Sequence, residues 1–323
     1  MKRNFTSPPV VLGVDAGGTK IMTAYVDKSG TIYESKRYPM NRSAQPDAVN
    51  SIKNAVTDFI ECYGGERLPQ AVGLGTIGHI DTEKGIWLHA INIPINSPVP
   101  IAEELSTICH VPAAVDNDVH AAALAELKWG FGPTCANIIY INVGTGIAAG
   151  IISENRLIRG ASNYAGELGH MIIDPEGEPC ACGQRGCLEA VASGGGIISA
   201  ANSGLNAYPG SVLNNLKSEG KLHAGTVFQA AEAGDEFAGK IAGRALIALG
   251  TAIVNLVNLL NPEMVVLGGG MLREKWIAGY LHEYTCSRAL APAKKALKGI
   301  EVSALNPEHV GVLGAACLAW NRL

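Results

Sequence analysis

Apolar residues alternate with small and polar ones at Val10, Leu12 and Val14, and again at Ile21, Thr23 and Tyr25. Period-two spacing marks strands with one face toward a core. Asp15-Ala-Gly-Gly-Thr-Lys20 turns the chain between these runs, Ser29-Gly30 turns it again, and Ile32 opens a third strand. Asp47 to Cys62 then changes to helical spacing, with Val49, Ile52, Val56, Phe59 and Ile60 on one face. A short apolar run, Ala71–Ile77, ends in a glycine-rich loop, and Val111–Val115 reads as a strand before an alanine-rich helix.

The opening pattern returns far downstream. Ile138–Val143 reads as a strand, Gly144-Thr145-Gly146 as a turn and Ile147–Ile152 as a second strand; Glu154-Asn155 and Leu157-Ile158 complete a second three-stranded unit. Two such repeats predict two related α/β lobes facing each other across a cleft. An irregular Gly- and Cys-rich stretch follows over 160–196, then a mostly helical region over 197–260. Val265–Leu267 is a strand ending in Gly268-Gly269-Gly270, and 311–320 has helical composition. The expected organisation is an N-terminal α/β lobe over 1–118 and a larger lobe over 119–310. The pattern leaves open whether the helix in 311–323 returns to the first lobe.

Composition narrows this reading without changing it. The 323 residues suggest about two domains, and 47% apolar against 17% charged residues provides for a large core. The net charge of −4 argues against a nucleic-acid or anionic-membrane partner. The longest apolar approach, Ala245 to Leu260, is broken by Gly250, Thr251, Asn255 and Asn258, so a buried helix is expected rather than a span. The N-terminal MKRNFTSPPV has no apolar core, so no secretory signal is expected and a cytoplasmic location is.

Several clusters carry chemistry. Gly17 and Gly18 let backbone N–H groups approach a phosphate, with Thr19 and Lys20 as further donors. Asp15, at a strand end, is suited to hold Mg²⁺ directly or through water. The spacing is not that of a Walker loop. Gly144-Thr145-Gly146 repeats the device, and paired hairpins suit a nucleoside triphosphate. Gly268, Gly269 and Gly270 permit close backbone approach of an adenine or ribose. Asp116-Asn117-Asp118 offers a general base for an alcohol acceptor such as a sugar hydroxyl, or a helix cap, for which Asp and Asn are both favoured. One of the three can cap while another reacts.

His170, Cys180, Cys182 and Cys187 lie within eighteen residues and can supply four ligands to tetrahedral zinc with no open position, which predicts a structural metal. A redox pair or plain buried thiols are the alternatives. Glu167 and Glu189 flank the cluster and are placed to accept hydrogen bonds from vicinal sugar hydroxyls. The loops Gly75-Thr-Ile-Gly78-His79-Ile-Asp81 and Asn92-Ile-Pro94 are expected on an opposite wall. The remaining histidines, His120 among them, read as packing or surface.

In this order, DAGGTK, DND followed by AAALAE, GTG, ELGH, CACGQRGCLE and LGGG resemble the ROK family (repressors, open reading frames, kinases) along essentially the whole chain. The resemblance implies an actin/hexokinase-like (ribonuclease H-like) two-lobed α/β fold. It also implies ATP-dependent phosphorylation of a hexose or N-acetylhexosamine, usually at the 6-hydroxyl. By position, Asp118 matches the catalytic base. Asn117, Glu167, His170, Glu189, Asn92 and Gly78 match sugar contacts, with His170 serving zinc through one ring nitrogen and sugar through the other. Cys180, Cys182 and Cys187 match the other zinc ligands; Asp15 to Lys20, Thr145 and Gly146 match phosphate loops.

Two departures touch the far wall. Ile77 stands where the family carries proline, with His79 after Gly78, and Ile95-Asn96 replaces a Gly-Trp pair seen in glucokinases, which puts glucose preference in doubt. Only fourteen residues precede Asp15, too few for the helix-turn-helix module of the family's repressors. The expected partners are a sugar and Mg·ATP, with no nucleic acid or membrane, in a homodimer or homotetramer. The competing expectation is a non-catalytic sugar-sensing regulator of the same family.

Overall fold

The computed structural model describes residues 8–65, 67–90, 92–271 and 275–323. The basic pair Lys2 and Arg3 lies outside the described residues. In chain order the elements are β1 (Val10–Ala16), β2 (Lys20–Asp27), β3 (Ile32–Pro39), α1 (Gln45–Tyr63), β4 (Val72–Thr76), β5 (His79–Asp81), β6 (Ile86–His89), α2 (Ile101–Cys109), β7 (Ala113–Asn117) and α3 (Asp118–Trp129). There follow β8 (Ile138–Val143), β9 (Ile147–Ser153), β10 (Arg156–Ile158), α4 (Leu188–Ala192), α5 (Gly194–Gly204), α6 (Leu213–Ser218), α7 (Ala224–Glu232) and α8 (Glu236–Leu260). The chain ends with β11 (Met264–Gly268), α9 (Lys275–Arg288), α10 (Ala291–Ala296), β12 (Gly299–Val302) and α11 (Val310–Trp320).

The strand order is β3-β2-β1-β4-β7 in one five-stranded sheet and β10-β9-β8-β11-β12 in the other. Numbered within each repeat, both read 3-2-1-4-5. The duplication seen in the apolar pattern is therefore a duplication of topology. In the first sheet β1, β2 and β3 pair antiparallel, while β4 and β7 add in parallel. Every residue of β4 and β11 is buried, as expected of inner parallel strands covered on both faces.

The chain divides into two compact units. The first runs to Ala136 and adds Gly150–Ala165 and Ala304–Leu323; the second is Asn137–Ala149 with Gly166–Ser303. This differs from a single cut after Asp118. The reason is packing: α3 lies against α11 and β4, so the helix opened by Asp118 is held inside the first unit. The terminal helix α11 belongs there too. It lies so close to β1 and β4 that a Cβ at Gly13 would run into the Val312 carbonyl, and one at Gly73 into the Ala315 carbonyl.

In the first unit, α1 buries Ala48, Val49, Ile52, Ala55, Val56 and Phe59 along one stripe, with Pro46 in its opening turn, where a missing N–H costs nothing. The second unit is built around α8, whose Phe237, Ile241, Leu249, Ile253 and Leu256 enter its core. Among the described residues α8 is the one helix long and apolar enough to cross a membrane, and half of its most apolar window is buried.

Candidate functional site

The strand before Asp116-Asn117-Asp118 is Ala113–Asn117, two residues later than the apolar pattern suggests, and this shift gives the three residues separate jobs. Asp116, 1% exposed, is a buried anion. One of its oxygens accepts from the Asn117 N–H at 2.8 Å and from His120 Nδ1 at 3.2 Å; the other accepts from Arg159 Nε at 2.9 Å and Nη2 at 2.7 Å. Burial opposes its ionisation, but His120 and Arg159 outweigh that and hold the carboxyl below its ordinary range. Asn117 is the N-cap of α3, accepting from the N–H groups of Val119 at 2.9 Å and His120 at 3.3 Å. Asp118 is the first residue of α3.

Asn117 also donates from Nδ2 to the Gly78 carbonyl at 3.2 Å, so the turn into α3 and the loop after β4 meet within the first unit. Gly78 has φ +101°, and its Cα lies against the backbone of His89 and Ala90, where a side chain has no room. The fully buried Trp87 fixes this loop by donating Nε1–H to the Ile77 carbonyl at 3.0 Å. Asn92 is exposed in the turn closed by the Ala90 N–H on the Ile95 carbonyl. His79 stacks edge-on against Tyr164 at 4.7 Å, and its Nε2 lies 2.7 Å from the Ser162 carbonyl.

Gly17, Gly18, Thr19 and Lys20 form the β1–β2 hairpin, closed by Gly17 N–H on the Lys20 carbonyl at 3.0 Å. Side chains have open space at both glycines, so these positions leave their backbone approachable. Asp15, half-buried at the end of β1, is pushed up to about 7 by burial and by the nearby Asp118 carboxylate, against the opposing pull of Lys20. Two neighbouring carboxylates of this kind are the hard-oxygen setting that a divalent cation neutralises.

In the second unit, the Gly144-Thr145-Gly146 hairpin rests on the start of α5. Gly194 donates to the Gly144 carbonyl at 2.8 Å and Gly195 to the Thr145 carbonyl at 3.4 Å, while Ser193 caps the helix through Gly196 N–H. Glu189 is braced on the same hairpin, accepting from Ile147 N–H at 2.9 Å, and a Cβ at Gly146 would strike its carboxylate. The Gly144–Gly146 hairpin and the Glu189 carboxylate thus share a support. The Gly194–Gly196 brace escaped the sequence reading, although three glycines after a serine were its visible signal. Gly268 packs on the Tyr140 ring, Gly269 has φ +87° against Val143, and Gly270 faces open space. A cavity of about 850 Å³ runs from Thr145 and Glu189 along α5 to the stacked rings of Tyr208 and Phe237.

His170, Cys180, Cys182 and Cys187 bring their ligand atoms within 4.8 Å of one another. Cys180 Sγ is 3.8 Å from His170 Nδ1, and Cys182 Sγ is 3.7 Å from Cys187 Sγ. A tetrahedron with bonds of about 2.3 Å has edges of about 3.8 Å, so the donor set fits zinc. A hydrogen bond from Gln184 N–H leads the factors that bring the Cys182 thiol down to about 7, whereas burial pushes Cys187 up to about 12. His170 Nε2 points instead toward Glu167, 3.8 Å away.

A profile of the ROK family matches residues 11–322. The chain is similar to a glucokinase of Halalkalibacterium halodurans, 37% identical over 80% of each chain. It is also similar to an N-acetylmannosamine kinase of Citrobacter koseri, 31% identical over 95% of this chain and 98% of that one. Among solved structures, a ROK glucokinase from Streptomyces griseus in complex with glucose and AMPPNP superposes with a TM-score of 0.79 at 28% identity, covering 97% of this chain and 99% of that one. A ROK transcriptional regulator, a homologue of the E. coli MLC protein, gives 0.85 at 26% identity over 96% of this chain and 77% of that one. The fold is the two-lobed actin/hexokinase-like α/β fold.

Proposed function

The chain belongs to the ROK family, and on that premise we propose that it is an ATP-dependent kinase of a hexose or N-acetylhexosamine, acting at the 6-hydroxyl. The observation that carries this reading is the division of labour at the end of β7. Asp116 is committed to a buried ion pair and Asn117 to the helix cap, and Asp118, the first residue of α3, is the carboxylate whose charge reaches Asp15 at the end of β1.

Asp118 accepts the proton of the acceptor hydroxyl as its oxygen attacks the γ-phosphorus and ADP leaves. Gly78, Asn92, Asn117, Glu167, His170 Nε2 and Glu189 contact the sugar. The Asp15–Lys20 and Gly144–Gly146 hairpins bind phosphates through backbone N–H groups, and the backbone at Gly268–Gly270 receives the nucleoside. Asp15 is the protein group that would hold Mg²⁺, which supplies charge neutralisation on the phosphates. His170, Cys180, Cys182 and Cys187 would hold a structural zinc that shapes the segment carrying Glu167 and Glu189. Most of the rate gain then comes from positioning and electrostatics.

The test is ADP release from Mg·ATP across a panel of hexoses and N-acetylhexosamines, with Asp118→Asn alongside. The expected result is one preferred sugar and a loss of about 10²- to 10⁴-fold in kcat for the variant, with sugar-induced thermal stabilisation retained. Near-normal turnover in Asp118→Asn removes the assignment of the base. The likeness to a regulator favours a second reading, a sugar sensor. Stabilisation by a sugar with no ADP release on any sugar selects that one.

A further inference from the structure

His120 lies one turn into α3, 3% exposed, and neither of its ring nitrogens faces a donor. Nδ1 is 3.2 Å from the Asp116 carboxylate, and Nε2 is 2.9 Å from the Ala165 carbonyl. A neutral imidazole has one N–H and cannot satisfy two acceptors; an imidazolium satisfies both. The same carboxylate takes two hydrogen bonds from Arg159. Arg159 and Ala165 form the neck of a loop, closed by Ala165 N–H on the Arg159 carbonyl at 3.0 Å. The loop's tip rests on the β5–β6 hairpin: Ser162 and Tyr164 meet His79, and Thr82 Oγ1 donates to Asn163 at 3.1 Å.

Resting on the kinase reading above, we propose that Asp116, His120 and Arg159 form a buried clamp of one anion and two cations whose function is positioning. It fixes the Asn117–Asp118 turn and the neck of the 159–165 loop in a single arrangement. Asp118 sits between two anchored residues. The peptide of Asn117 is held by Asp116, and the ring of His120 is held at both ends. Breaking the clamp frees the turn that aims the base, and small displacements of a catalytic group are costly in rate. The Asn117 bond to Gly78 and the His79 contacts carry the same restraint to the sugar-facing loop.

Among the described residues, the charged groups facing His120 are Asp116 from β7 and Arg159 from the loop after β10. From the other elements packed on α3, β4 offers no ionisable residue, β10 offers the exposed Arg156, and α11 offers Cys317, which burial pushes up to about 12. Burial opposes the charge on His120, but the Asp116 and Ala165 acceptors outweigh it, so its affinity for the second proton is raised. The clamp is therefore complete below the folded-state value of His120, which lies above the ordinary histidine value. It loses one bond as pH rises through the folded-state value.

Two independent measurements test this. In the intact chain labelled with ¹⁵N-histidine, the His120 resonance, assigned by its loss in His120→Asn, should show hydrogen on both ring nitrogens at about pH 6.5, where an ordinary histidine is half-deprotonated. One bare nitrogen overturns the clamp. In steady-state kinetics, Arg159→Met should lower kcat about 10- to 100-fold with KM for Mg·ATP unchanged, and Arg159→Lys should recover part of the loss. His120→Asn should remove an alkaline limb from the wild-type pH profile of kcat/KM for the sugar. Wild-type kcat in Arg159→Met, or an unchanged limb in His120→Asn, overturns the proposal. If the wild type phosphorylates no sugar, the kinase reading fails by itself, and the ring-nitrogen measurement still decides the clamp.

Discussion

Replacing Asp15 by Asn should stabilise the Mg²⁺-free protein at alkaline pH while destroying its use of ATP. In the folded chain the Asp15 carboxyl is raised from 3.8 to about 7 by burial and by the Asp118 charge. The folded state therefore binds the proton more tightly than the unfolded state does. Between the two values the native state carries more protons, so ionising Asp15 costs stability as pH rises. The penalty is absent below the unfolded value and complete above the folded one. At 1.36 kcal/mol per pKa unit it comes to about 2 kcal/mol at pH 5 and about 4 kcal/mol at pH 8. The stability difference between Asp15→Asn and wild type should therefore move in favour of the variant by about 3 kcal/mol over that range. Urea unfolding followed by tryptophan fluorescence measures it, since Trp87, Trp129 and Trp320 all lie in the first unit. Added Mg²⁺ should close the gap at pH 8 in the wild type only, because the cation neutralises the carboxylate that the amide lacks. If the two stability curves run parallel from pH 5 to pH 8, Asp15 is not an energetically strained acid and the reasoning is wrong.

Cys187→Ser should reduce bound zinc from about one atom per chain to a small fraction, read by elemental analysis, and weaken sugar binding indirectly by loosening the segment between Glu167 and Glu189. Gly73→Ala should cost about 3 kcal/mol in chemical denaturation, because the methyl group meets the backbone of α11 and no flexible side chain can yield; wild-type stability would mean that α11 is not seated on β4. Trp87→Phe removes the bond to the Ile77 carbonyl and part of a fully buried ring. It should cost about 2 kcal/mol and raise KM for the sugar more than it lowers kcat, and steady-state kinetics would show the split.

Much of this was legible along the chain. Val10–Val14, Ile21–Tyr25, Ile138–Val143 and Ile147–Ile152 are strands where the apolar pattern places them, and the repeat they form is the repeat of the sheets. Glu154 and Asn155 both adopt positive φ in the turn expected of them. The four zinc-type ligands close on each other because seventeen residues of glycine-rich chain can bring them together without help from elsewhere. Such features depend on residues near in sequence, and local sterics and side-chain chemistry suffice to fix them.

The roles inside Asp116-Asn117-Asp118 were not legible, because three polar residues in a row are alike until their partners arrive. Arg159 lies more than forty residues downstream and pairs with Asp116. His120, which reads as a packing residue in the sequence, has both nitrogens engaged only because a backbone carbonyl and a carboxylate converge on it. The final helix joins the first unit for the same kind of reason: Gly13 and Gly73 leave a flat surface that accepts its backbone. The sequence by itself determined the elements, the repeat and the inventory of reactive groups. Which of these residues is sequestered and which caps the helix was decided by contacts between segments, whose energies exist only once the chain is folded.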